Sequence, residues 1–141
     1  MPDNKQVIER FERAFAANDA ATIDELCDPN LVDHNPVPGA PPTLEGFKAT
    51  IAGYTQAFPD LEFADGPHVI VEGDTAATRW TAAGTHEAEM MGIPATGKRI
   101  RVEGMNFYRL ANGRITDVWT QFDGVSMLQQ LGVMPTPAEV G

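Results

Sequence analysis

Cysteine is nearly absent. The one thiol, Cys27, has no second cysteine to pair with, and acidic neighbours in Asp24-Glu25-Leu26-Cys27-Asp28 favour the thiol over the thiolate. Basic residues are also few: ten lysines and arginines against twenty acids leave a net charge of −10. A surface of that sign repels phosphate backbones and anionic lipid heads, which argues against nucleic acid and membrane surfaces as partners. No apolar run approaches the roughly 20 residues that span a bilayer. The first residues lack the basic-then-apolar order of a secretory signal, so a cytoplasmic protein is expected. No His-x-x-x-His, His-x-His or Cys-x-x-Cys spacing points to a metal, and no glycine-rich phosphate loop or dinucleotide fingerprint occurs. Neither metal nor cofactor is therefore expected.

What remains is a chain of 141 residues with 43% hydrophobic and 21% charged side chains, the balance of one globular domain. The expected domain is residues 1–141, with 132–141 a loose tail. Val7, Ile8, Phe11, Ala14 and Phe15 recur at helical spacing after Asp3 and Asn4 as caps. Residues 19–28 read as a second helix with Thr22 and Glu25 as its capping box, ended by Pro29. Residues 31–35 read as a brief strand leading into the proline-rich loop 36–42. Thr43 caps a third helix with Phe47, Ile51, Tyr54 and Phe58 on one stripe. From Leu61 the period becomes two. Strands are predicted at 61–63, 68–71, 75–87, 98–110 and 114–123, with a bend at Gly66-Pro67 and a hairpin turn at Asn112-Gly113. A short helix follows at 126–131. Helices first and a meander afterwards is an α+β plan, a curved antiparallel sheet wrapped around the N-terminal helices and enclosing an apolar cavity.

Several stretches resemble the SnoaL-like polyketide cyclases: VDHNP at 32–36, EGFKATIAGYTQAFPDLEF at 45–63, VEGDTAATRWTAAGTH at 71–86, MGIPATGKRI at 91–100, LANGRITDVW at 110–119 and LQQLG at 128–132. The most specific are G-I-P-x-T-G-K and W-x-x-F-D-x-x-x-x-L-x-Q-L-G. The resemblance covers about residues 7–132. It implies the cone-shaped fold shared with nuclear transport factor 2, ketosteroid isomerase and limonene-epoxide hydrolase, usually as a homodimer. It also implies a metal-free intramolecular aldol reaction, in which an aspartate on the last strand is the base and a histidine on the preceding strand assists the oxyanion. This chain departs from that pattern. The aspartate position falls on Thr120 and the histidine position on Asn106, and the Arg-x-Asp pair of the epoxide hydrolases is replaced by Arg101-Val102-Glu103. Threonine is no general base at neutral pH, whereas asparagine can still donate to an enolate.

The remaining candidates carry two readings each. Asp123 is the last-strand acid that survives, or the N-cap of the next helix. Alternation sets Trp119, Gln121 and Asp123 on one face and Val118, Thr120 and Phe122 on the other, without saying which faces the cavity. His34, between Asp33 and Asn35, either borders a pocket or pins the proline-rich loop. His86 either lines the cavity or braces the loop that contains Met90 and Met91, whose adaptable side chains suit a lid. Tyr54 and Trp80 offer an apolar body with a polar tip. The functional expectation is a cofactor-independent cyclase or isomerase acting on a small apolar carbonyl compound. In it Asp123 or His34 moves the proton, and Asn106, Gln121 or Thr120 holds the oxygen. The alternatives are a non-catalytic binding protein of the same fold and, third, an epoxide hydrolase-like enzyme.

Overall fold

The computed structural model describes residues 3–64 and 68–135. Helix α1 (Asn4–Ala17) begins at a capping box in which Asp3 accepts from Gln6 and the Gln6 side chain accepts from the Asp3 amide. Its buried side carries Val7, Ile8, Phe11, Glu12 and Ala14. Asn18 ends it in the left-handed region, and α2 (Ala20–Leu26) starts almost at once. The cap of α2 is Asp19 and not Thr22. Its carboxylate takes both the amide and the hydroxyl of Thr22, satisfying helix-start donors that the Thr22–Glu25 box would have served one turn later.

Helix α2 also stops earlier than the expected residue 28. Cys27 opens strand β1 (Cys27–Asp33), and Pro29 lies inside it. The strand tolerates a proline because it is the edge of the sheet and its register shifts between Cys27 and Val32. Helix α3 (Leu44–Ala57) starts at Thr43, whose hydroxyl accepts from the Gly46 amide. Strands β2 (Glu62–Phe63), β3 (His68–Glu72), β4 (Thr75–Thr85), β5 (Arg99–Ala111) and β6 (Arg114–Phe122) follow, then helix α4 (Gly124–Gln130). The expected bend at Gly66-Pro67 and most of the tail lie outside the described residues. The β5–β6 turn is Asn112-Gly113, both with positive φ, the backbone that a two-residue hairpin with right-handed strand twist requires.

The sheet order is β1-β6-β5-β4-β2, with β3 also on β4. Contrary to the all-antiparallel expectation, β1 runs parallel to β6, so the sheet is mixed. No tight turn joins those two strands; the whole chain between them does, and it leaves either direction open. Strand β5 alternates exposed and buried residues along its full length, so its even-numbered residues face the helices. Two apolar clusters form on that inner face. One joins α1, α2, β1 and α3 to Tyr108, Leu110, Ile115 and Val118. The other joins Ala57 and Phe58 to Ile100, Val102, Met127 and Leu131. Phe11 anchors the first, stacked on Phe47 at 5.8 Å and edge-on to Tyr108 at 5.9 Å. Between the clusters the sheet and helices do not close up.

A carboxyl-lined cavity between helices and sheet

That gap is a cavity of about 140 Å³ walled by Phe15, Phe47, Phe58, Phe63, Val102 and Phe122, among others. Its polar groups are Glu12, Asp33, Asn35, Thr50, Tyr54, Trp80, Asn106 and Thr120, and among the described residues no lysine, arginine or histidine lines it. Strand registry explains which residues arrive there. Thr78, Asn106 and Thr120 sit directly opposite one another across β4, β5 and β6. The two positions that depart from the cyclase pattern are therefore cross-strand neighbours on the inner face. Parity on β6 is settled the same way: Val118, Thr120 and Phe122 face inward, Trp119 and Gln121 outward.

Two hydrogen-bonded groups cross this polar row. In the first, Trp80 Nε1 donates to Asn106 Oδ1 (3.2 Å), Asn106 Nδ2 donates to Tyr108 Oη (2.8 Å), and Tyr108 donates to Glu12 Oε1 (2.8 Å). Gly104 makes the start of that chain possible. It faces Trp80 across the β4–β5 ladder, and the indole occupies the space a Cβ would need. In the second group, the Asn35 backbone amide donates to Asp33 Oδ1 (3.0 Å), and Asn35 Oδ1 accepts from the Thr120 backbone amide (3.0 Å). Strand β1 has ended by then, so the Asn35 side chain supplies β6 with the acceptor that a further β1 residue would have given.

Burial sets the electrostatics. Glu12 is 2% exposed, and its carboxyl is pushed up to about 7, chiefly by desolvation, with the Tyr108 hydrogen bond pulling it partly back. The Thr78 hydroxyl is buried close enough to pull in the same direction, although it makes no hydrogen bond of its own. Asp33, 5% exposed, is raised for the same first reason, opposed by the Asn35 amide and by His34. Burial raises Tyr54, and it raises Tyr108 well above the usual phenol range. Cys27 is pushed up to about 12 by burial and by Asp24, which keeps it a thiol.

The other candidates lie elsewhere. Asp123 caps α4, its carboxylate accepting from Ser126 (2.9 Å), and is not part of the cavity wall. His34 stacks on Trp119 on the outer face, ring centroids 4.1 Å apart, and its Nε2 is 2.9 Å from Asp117 Oδ2. Gln121 is exposed on that same face. His86 is fully buried against Phe58, with Nδ1 on the amide and hydroxyl of Thr96, where it ties down loop 87–98. Met90 packs in the second apolar cluster, and Met91 is 55% exposed with positive φ. Among the described residues no three histidine, cysteine, aspartate or glutamate side chains gather at metal-ligand geometry. Asn35, Tyr54, Trp80, Asn106 and Thr120 do line the cavity together. Sequence reasoning passes over Glu12, although a glutamate four residues after Ile8, on the side of α1 that carries Phe11 and Phe15, is a charge inside an apolar stripe.

With this geometry in view, comparison with known proteins is decisive on family. A profile of the SnoaL-like polyketide cyclases matches residues 5–131. The chain belongs to the SnoaL-like polyketide cyclase family. It is 28% identical over 114 residues to the aklanonic acid methyl ester cyclase DnrD of Streptomyces peucetius, covering 80% of this chain and 77% of that one. Among solved structures it is similar to IdmH, a candidate polyketide cyclase from Streptomyces antibioticus (35% identity, TM-score 0.80, 94% of this chain and 100% of that one). It is also similar to AclR, a candidate hydroxylase from Streptomyces galilaeus (25% identity, TM-score 0.79, 94% and 97%).

Two outcomes are expected from this arrangement. Because Glu12 is raised in the fold from 4.5 to about 7, the folded protein holds a proton that the unfolded chain releases. Its contribution is therefore complete below pH 4.5 and lost as pH climbs through about 7, a change of roughly 3 kcal/mol. Glu12→Gln should match the native chain near pH 4 and gain on it as pH rises, by about that amount at pH 8, measured by urea unfolding at each pH. Gly104→Ala should drive the Trp80 indole off Asn106, cost about 1–3 kcal/mol, and shift the indole N–H resonance in nitrogen-15 NMR.

Proposed function

We propose that this chain is a cyclase acting on a small, largely apolar carbonyl compound through an enolate. The observation that carries the reading is Asp33, a carboxylate with almost no contact with water, held in an apolar cavity that no lysine, arginine or histidine lines among the described residues. Desolvation makes such a carboxylate a stronger base than it is in water. One oxygen is occupied by the Asn35 backbone amide, which leaves the other for a proton. Asp33 removes a proton from the carbon beside one carbonyl. The carbon nucleophile so formed attacks a second carbonyl of the same molecule, and the oxygen of that second carbonyl takes up a proton. The Asn106 amide and the Thr120 hydroxyl, opposite each other in the cavity wall, hold the enolate oxygen. Tyr54 and Trp80 pack on the substrate body. The similarity to DnrD, an enzyme named for cyclising a methyl ester, supports the same reaction class.

A binding protein without turnover is the second reading. Thr120 favours it, since it stands where the resemblance expects a carboxylate. Incubation with a panel of aromatic polyketide methyl esters, followed by mass spectrometry, separates the two. A cyclase yields a product of equal mass, or one short by water, and Asp33→Asn lowers the rate by about 100-fold or more while the ester still binds. An ester retained but unchanged by the native protein would reverse the order of the two readings.

For the homodimer that the resemblance implies, the outer sheet face is the proposed contact. Val32, Ile70, Met105 and Phe107 are exposed there beside the His34–Trp119 stack. Phe107→Glu should convert a dimer into monomer in sedimentation equilibrium; a native protein that already sediments as a monomer would remove the proposal.

A further inference from the structure

The enolate scheme leaves one proton without a donor, the one that the second carbonyl oxygen must receive, and any donor assigned to it rests on that scheme. Glu12 is the one other carboxyl in the cavity wall among the described residues. Its surroundings are built for a neutral acid. From β5, Tyr108 and Asn106 face it. From β4, Thr78 lies beside it and Trp80 stands behind Asn106. Asp33 at the end of β1 and Tyr54 on α3 share the cavity, and among the described residues no lysine, arginine or histidine lines it. The Arg10–Glu25 pair between α1 and α2 is on the exposed side of α1 and gives Glu12 no counter-charge.

The direction of the hydrogen bonds is informative. Trp80 can only donate, so Asn106 must receive through its carbonyl and give through its amide. Tyr108 receives that amide proton and has its own proton left for Glu12 Oε1. All three bonds therefore run toward Glu12, and Oε1 is fixed as an acceptor. When the carboxyl is neutral, its proton belongs on Oε2. The same chain fixes the ring of Tyr108, and with it the carboxyl plane, before any ligand enters.

We propose that Glu12 is a second catalytic residue, a neutral carboxylic acid that gives its Oε2 proton to the oxygen of the attacked carbonyl as the new carbon–carbon bond forms. The steps balance. A carbon–hydrogen bond breaks with its proton passing to Asp33, and the carbon–carbon bond forms. The π pair of the second carbonyl moves onto oxygen, and Glu12 protonates it. The product is a β-hydroxy carbonyl compound isomeric with the substrate. Asp33 is then protonated and Glu12 ionised, and one proton returned from the first to the second through solvent restores the site. Two carboxyls in one cavity thereby take opposite roles, with the more deeply buried one as the acid, raised to about 7.

The test has a ligand arm and a turnover arm, both on the full chain. The Glu12 carboxyl carbon, assigned by its disappearance in Glu12→Gln, is titrated by carbon-13 NMR alone, with 2-acetylnaphthalene, and with 2-ethylnaphthalene as a hydrocarbon of nearly the same outline. The expected midpoint is near 7 without ligand, and the ketone should raise it further than the hydrocarbon does. A midpoint in the ordinary carboxylate range, or equal effects of the two ligands, overturns the proposal. In the second arm, methyl-ester cyclisation by the native protein should fall about tenfold per pH unit above the Glu12 midpoint. Glu12→Gln should lower kcat by about 100-fold or more, with little change in KM and without that alkaline limb. Native turnover with kcat intact in Glu12→Gln overturns the role of Glu12 alone. No turnover of any ester by the native protein overturns the cyclase reading and the acid with it.

Discussion

Strand β5 is the constraint that orders the rest of the molecule. It is paired with β4 from Arg99 to Arg109 and with β6 from Gly104 to Ala111, so across the cavity rows its alternation is imposed on both neighbours. Asn106 and Tyr108 point to the helices because the pleat leaves them no choice, and Phe107 between them points away. The rows that cross the sheet at those positions carry Thr78 and Thr120 inward and Trp119 outward. A slip of one residue would bury Met105 and Phe107 and lift both polar side chains out of the cavity. On the β6 side the Asn112-Gly113 turn, with its two positive φ values, sets Leu110 opposite Ile115, and a one-residue register shift between Arg109 and Leu110 then brings Asn106 opposite Thr120.

Local signals carry much of this architecture. The stripe of α1, the Thr43 cap and the change to period two at Leu61 each rest on neighbours within a few residues, and each element lies where its pattern puts it. The misplacements share another origin. Pro29 reads as a helix stop, yet it sits in an edge strand because β6, nearly ninety positions later, offers a parallel partner. Nothing near Pro29 in sequence carries that information. Face assignment on β6 is hidden from the sequence for a related reason, since alternation gives parity and only the pairing with β5 gives its sign.

The site is legible in its walls and less so in its acids. Asn35, Tyr54, Trp80, Asn106 and Thr120 converge on the cavity from a loop, a helix and three strands. The two carboxyls that share it with them are harder to find. In sequence Asp33 stands out only as a neighbour of His34, yet it is the one of the two that turns inward while the imidazole turns out to Trp119. Glu12 gives one faint sign, a charge in an apolar stripe, and its meaning depends on a tyrosine ninety-six residues away. Burial, which decides what both groups can do, is a property of the assembled fold.

Placing an acid on the first helix has an effect on the molecule beyond its chemistry. Helix α1 holds its place through Phe11 on Phe47 and Tyr108, and the same docking strips water from Glu12. Were the helix to lift off, the carboxyl would rehydrate and, in mildly acidic to neutral solution, shed its proton. Seating of the N-terminal segment and loading of the acid are thus one equilibrium: proton uptake draws the helix down, and the seated helix keeps the proton in place.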